Sequence, residues 1–316
     1  MFNTLRAVVQ LTRPAQWVKN VFVFAALVFG VQWDDPHAIN AALIALEAFG
    51  IFCLLSGAVY AFNDLLDWKE DALHPTKKNR PVARGAVSPH AAGLIAVLLA
   101  ASGAMASLSM PRGFALTAMV YLLLNLVYSL WGKHCVLLDV ILIAIGFVLR
   151  ALAGAQAIEV EVSAWLVVCT FTLCLFLGFG KRRCELAVIE NNSNAVKHRA
   201  TLSEYSLELL TQLLSVTGAM AVVTFLLYTL DPNTPSPRSL VFTTPLVFYA
   251  IFRYAMVISR GERTGPTDVL INDRPFLATA VIWVLLILLL VLLKDHHLES
   301  YLPLLRYPGS VPTPPP

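Results

Sequence analysis

The stretch AALIALEAFGIFCLLSGAVYAF, from Ala41 to Phe62, runs directly into NDLLDWKED, from Asn63 to Asp71. The first part contains a single ionisable carboxylate, Glu47, and as a helix is long enough to cross roughly 30 Å of hydrocarbon. Unpaired backbone polar groups are too costly in lipid for anything but a helix or a closed barrel, so this block reads as a helix. The second part places Asp64, Asp67 and Asp71 at i, i+3 and i+7. If the helix continues past Phe62, the three carboxylates project from one face over two turns.

Working outward, eight further apolar blocks lie near 18–32, 90–109, 113–131, 136–156, 163–180, 206–230, 240–259 and 275–293. The chain is 58% hydrophobic and only 14% charged, which excludes an ordinary water-soluble core. The expected fold is all-α: a polytopic membrane bundle of nine transmembrane helices. Residues 1–306 form one integral-membrane domain, and 307–316, with five prolines, form a disordered tail. With the N-terminus inside, the inner connections hold 17 of the 23 Lys and Arg and the outer ones four. That bias sets the N-terminus and the charged loops on the cytoplasmic side of the membrane. The net charge of +3 restates the same bias and points to no nucleic acid. The five cysteines form no CxxC pair or disulfide framework.

Two inner connections carry more charge than packing requires. In the first, three stacked carboxylates repel one another unless a cation sits among them, and Mg²⁺ suits a few carboxylates shared with substrate phosphate oxygens. Lys77, Lys78, Arg80 and Arg84 follow at once and supply cationic phosphate donors. Taken alone, the acidic stretch could be a solvated helix end and the basic one a topology signal. The second connection begins Gly180-Lys181-Arg182-Arg183-Cys184-Glu185, where Lys181, Arg182 and Glu185 share neighbouring turns. It reads either as an anchor or as an anion site. Arg150, after the apolar run Ile141 to Leu149, is an expensive guanidinium inside a span and has to meet an anion; Asp139 is the structural alternative. Before the first span, Arg13, Gln16, Trp17, Lys19 and Asn20 form an interfacial anchor, or Gln16, Lys19 and Asn20 line the site.

The segment Asn63-Asp64-x-x-Asp67-x-x-x-Asp71 resembles the first aspartate motif of the UbiA superfamily, intramembrane prenyltransferases of nine helices. The resemblance implies a central cavity capped by cytoplasmic loops, with Mg²⁺-diphosphate held by Asp64, Asp67 and Asp71 beside Asn63. The chain departs from that pattern where a second DxxxD is expected and Gly180-Lys181-Arg182-x-x-Glu185 stands instead. Together with Arg13-Pro14-x-Gln16-Trp17-x-Lys19-Asn20, His74-Pro75-x-Lys77-x-x-Arg80-Pro81 and Gly146-Phe147-x-x-Arg150, it looks like the phosphoribosyl-transferring branch. That branch implies phosphoribosyl diphosphate as donor and a polyprenyl phosphate as acceptor, for lipid-linked pentose donors of envelope glycans. Lys181 and Arg182 would then bind the extra donor phosphate, and a homo-oligomer is compatible with this reading. The rivals are a prenyltransferase acting on an aromatic acceptor, which needs the missing acidic motif, and a transporter or lipid-binding protein, which would show an inverted repeat.

Overall fold

The computed structural model describes residues 2–31, 36–73, 77–190, 202, 204–231, 238–261 and 265–292. His74 and Pro75 of the basic loop and the tail 307–316 lie outside the described residues. Among the described residues every regular element is a helix. An amphipathic α1 (Phe2–Leu11) turns at Arg13 into a 3-10 helix (Pro14–Phe24) that continues as α2 (Ala25–Gly30). Then come α3 (Ala38–Leu73), α4 (Pro89–Ser107), α5 (Arg112–Leu130), α6 (Leu138–Ala157), α7 (Ala164–Glu190) and α8 (Leu207–Leu230). A 3-10 turn (Arg238–Thr243) opens α9 (Thr244–Ser259), and the short α10 (Pro266–Asn272) precedes α11 (Arg274–Leu292).

Among the described residues seven helices are long and apolar enough to cross a membrane, and two shorter apolar segments, Pro14–Gly30 and Arg274–Leu290, occupy the places of the first and ninth expected spans. The first departs from the expected regular helix over 18–32. Pro14 fits the opening turn, where its missing N–H has no partner to lose. The 3-10 winding rises about 2.0 Å per residue, so Pro14–Phe24 covers about 22 Å. Adding Ala25–Gly30 at about 1.5 Å per residue, the short segment still reaches the roughly 30 Å of hydrocarbon. It lies tight against α6, because a Cβ on Gly154 would fall 1.8 Å from the carbonyl oxygen of Val23.

Caps set the other boundaries. The Ser88 hydroxyl accepts from the N–H of Ala91 at 3.2 Å with Pro89 in the first turn of α4, and Ser206 caps α8 through Leu209 N–H at 3.1 Å. Inside the bundle, Phe52, Phe114 and Tyr121 pack α3, α5 and α6 around Val23, while Phe176, Tyr254 and Ile258 join α7 to α9. Leu94, Leu123 and Leu285 point outward at 60–61% exposure, an arrangement a hydrocarbon surround favours and water penalises.

α3 fixes the site. Its 36 residues make a helix about 54 Å long, well beyond the roughly 30 Å of hydrocarbon. The end that emerges is the acidic one, since three carboxylates do not stay in lipid.

Candidate active site

At about 100° per residue, Asp64 and Asp71 stand within about 20° of each other on α3, and Asp67 lies about 60° to the side. The partners follow that split. Asp64, 1% exposed, accepts from Arg13 and lies 3.5 Å from Arg80 Nη1. Asp71, 3% exposed, accepts from the same Arg80 nitrogen at 2.5 Å and has Lys77 Nζ at 3.9 Å. Asp67 turns to Lys133 Nζ at 2.5 Å, on the connection between α5 and α6.

Two oxygens at the start of this file, Asn63 Oδ1 and Asp64 Oδ2, are buried and have no hydrogen-bond partner. A buried acceptor left unpaired costs about 1–3 kcal/mol, so a cation at this point repairs a real deficit. Among the described residues no three Asp, Glu, His or Cys side chains converge into a cage that could hold a metal ion alone. Hard oxygen donors in small number, with room for substrate oxygens, are what Mg²⁺ accepts.

Around the acidic file the site is cationic. Arg13 sits in the left-handed region (φ 50°), which swings its guanidinium onto Asp64 and over the ring of Tyr60 at 5.2 Å. In the 3-10 helix that follows, residues three apart eclipse, so Gln16 and Lys19 stand in one file below Arg13. Lys19 is within electrostatic reach of Lys181, Arg150 and Arg13. A cleft of about 460 Å³ opens beside Arg13, Lys77, Arg80 and Arg84, where Arg84 donates to Gln10 Oε1 at 2.7 Å.

The second motif divides. Lys181 is exposed on α7, 3.8 Å from Glu185 Oε1. Arg182 is 3% exposed and turns the other way: its Nε donates to Asp139 Oδ2 at 2.7 Å and its Nη1 to Glu185. Tyr205 completes the group, donating to Asp139 Oδ1 at 3.0 Å and accepting from Leu137 N–H at 2.6 Å. Arg182 therefore ties α6 and α7 to the chain before α8, and a phosphate would have to displace a buried carboxylate to reach it. Asp139, the structural alternative for Arg150, is engaged here. Arg150 lies deeper, bonded to Asn20, Gly146 and Tyr121.

Of the candidates from the sequence, Asn63, Asp64, Asp71, Lys77 and Arg80 come together at one mouth with Arg13, and Asp67 joins them through the side facing Lys133. Lys133 and Tyr60 were missed. Lys133 is one lysine in a five-residue connection and reads as a topology charge; only the rotation of Asp67 away from its two partners gives a hint of a separate counter-ion. Tyr60 is one turn before Asp64, a spacing at which an aromatic on an interior face can carry a guanidinium.

A helical bundle whose second span, α3, carries an acidic file to a cationic mouth defines a class of membrane proteins. Over residues 21–272 the chain matches the UbiA prenyltransferase family, and it belongs to that family; it is a multi-pass membrane protein. It is 30% identical to the decaprenyl-phosphate phosphoribosyltransferase of Mycobacterium tuberculosis over 286 residues, covering 89% of this chain and 93% of that one. With the protein of the same name from Corynebacterium glutamicum it shares 32% over 298 residues, 92% and 88% of the two chains. Among solved structures, a UbiA homolog from Archaeoglobus fulgidus bound to DMAPP and Mg²⁺ superposes with a TM-score of 0.68 at 18% identity, over 92% of this chain and 99% of that one. The last likeness carries the fold.

Proposed function

We propose that this chain, over residues 1–306 as one catalytic domain, transfers 5-phosphoribose from phosphoribosyl diphosphate to a polyprenyl phosphate and releases diphosphate. Relatives named for that transfer, similar over nine-tenths of their length, support the reading. The observation that carries it is the pair of buried, unpartnered oxygens on Asn63 and Asp64, set among Arg13, Arg80 and Lys77 at the emergent end of α3. Oxygen donors for a metal and guanidinium donors for phosphates meet within one mouth.

Mg²⁺ held by Asp64 and Asp67, with Asp71 and Asn63 beside them, would supply electrostatic stabilisation of the departing diphosphate. Arg80, Lys77 and Arg84 reach the diphosphate oxygens from the cleft. Lys181 and Lys19 take the remaining donor phosphate, a group that prenyl diphosphates lack. The bond between the anomeric carbon and diphosphate breaks with its electron pair leaving on the diphosphate, while an acceptor phosphate oxygen forms the new bond. Because the acceptor is already an anion, no general base is needed, and none of the mouth residues has to act as one. The active mouth faces the cytoplasm of a bacterial inner membrane, where a soluble, highly charged donor is found.

Purified protein in detergent, given Mg²⁺, labelled phosphoribosyl diphosphate and a polyprenyl phosphate, should yield lipid-extractable label that EDTA suppresses. Label that stays in the aqueous phase, with transfer of a prenyl group to an aromatic acid instead, would remove the proposal.

A further inference from the structure

We infer that Arg150 binds the phosphate of the lipid acceptor, on the bilayer side of the acidic mouth. The inference rests on the phosphoribosyl-transfer reading above. Arg150 is the thirteenth residue of α6 and 6% exposed. Its Nε donates to Asn20 Oδ1, one terminal nitrogen to the carbonyl of Gly146 and the other to the hydroxyl of Tyr121, each at 2.8 Å. The rings of Tyr121 and Phe147 flank it at 4.7 and 5.1 Å, and Asn20 is held in turn by donating to Ser56 Oγ at 3.0 Å.

Every one of those partners is neutral. A guanidinium has five N–H donors, and three are engaged here. A buried charge with no counter-charge is strongly unfavourable, and intramembrane arginines usually mark a pathway or a binding site. The carboxylate on the same helix, Asp139, is eleven residues away, about 16 Å along the axis, and pairs with Arg182. Arg150 is thus oriented without being neutralised, as a site for an incoming anion requires.

Depth decides which anion. Ser56, tied to Arg150 through Asn20, precedes Asp64 by eight residues on α3, or about 12 Å towards the membrane interior. When an oxygen displaces a leaving group at an anomeric carbon from the opposite face, it enters on the side of the sugar away from that group. With diphosphate at the mouth, that side is deeper in the bilayer, where the polyprenyl tail already lies. Donors from Arg150 to two of the three terminal oxygens fix the acceptor phosphate while the third attacks; one carbon–oxygen bond forms, one breaks, and no proton is transferred. An uncharged aromatic acceptor would leave the guanidinium without an anion, so the same residue selects against it.

The test uses the detergent-solubilised full chain and three variants, Arg150→Gln, Arg150→Lys and Asn20→Asp. Acceptor KM is measured by label transfer, and phosphoribosyl diphosphate affinity by calorimetry with Mg²⁺ and no acceptor. Arg150→Gln should raise acceptor KM by roughly 10- to 150-fold with donor affinity unchanged, and Arg150→Lys should recover part of the loss. Farnesyl phosphate should inhibit wild type far better than farnesol, and Arg150→Gln should erase that difference. If Arg150→Gln does not fold, Asn20→Asp decides: its carboxylate meets the same Nε and preserves the packing, yet should raise acceptor KM comparably. Unchanged acceptor KM overturns the inference, and so does a fall in donor affinity alone, which would move Arg150 to the donor's 5-phosphate. Failure of the underlying reading is visible separately, as absence of label transfer in wild type.

Discussion

Lys181 and Arg182 are neighbours in sequence, yet their surroundings give them different tasks. Arg182 is buried between Asp139 and Glu185, so Arg182→Gln strands a buried carboxylate and should cost about 3–5 kcal/mol of stability, read as a lower melting temperature in detergent. Lys181→Gln should leave melting unchanged and weaken phosphoribosyl diphosphate binding by roughly 10- to 150-fold. Equal melting of both variants would refute the division. Asp67→Asn removes a carboxylate from a pair that is partly exposed on both sides, 14% for Lys133 and 29% for Asp67. It should change stability by less than about 1 kcal/mol while transfer falls roughly 100-fold or more, measured as initial rate at saturating Mg²⁺. At this scale the sequence exposed the aspartate file and its basic sequel, because types and spacing are local. It could not separate Lys181 from Arg182, since their difference comes from Asp139, more than forty residues earlier and on another helix.

Among the elements, the apolar blocks were legible because a helix in lipid needs length and little else; each expected span has a counterpart, and only α3 and α7 run on, by eleven and ten residues, where their helices carry charged motifs out of the apolar block. The winding of the first was not legible. A 3-10 helix over Pro14–Phe24 depends on how closely it sits against α6, and that is set by Gly154 rather than by anything in its own sequence. Gly154→Ala would force a methyl into the Val23 carbonyl, pushing the 3-10 helix off α6 and pulling Asn20 from Arg150. The expected result is a loss of about 3 kcal/mol and a raised KM for the lipid acceptor. A variant with wild-type melting and kinetics would show that the contact is slack.

For the whole molecule, the acidic end of α3 emerges beside the basic connections that carry Arg80 and Lys133, and on the proposed reading that face meets the soluble donor. Cys135 lies at that end and is partly exposed; Cys169, also partly exposed, lies within the span α7, and Cys53, Cys174 and Cys184 are buried. A membrane-impermeant maleimide should therefore label Cys135 in inside-out vesicles and not in right-side-out ones, read by mass shift; the opposite pattern would invert the topology. The oxygens at Asn63 and Asp64 and the Ser56 hydroxyl that steadies Asn20 belong to one unbroken helix, α3. A rigid rod with a mark at each level behaves as a ruler. With the donor's diphosphate at the upper mark and the acceptor's phosphate at the lower one, as proposed above, a donor with one extra linking atom between its anomeric carbon and its diphosphate should be rejected however well each substrate binds alone.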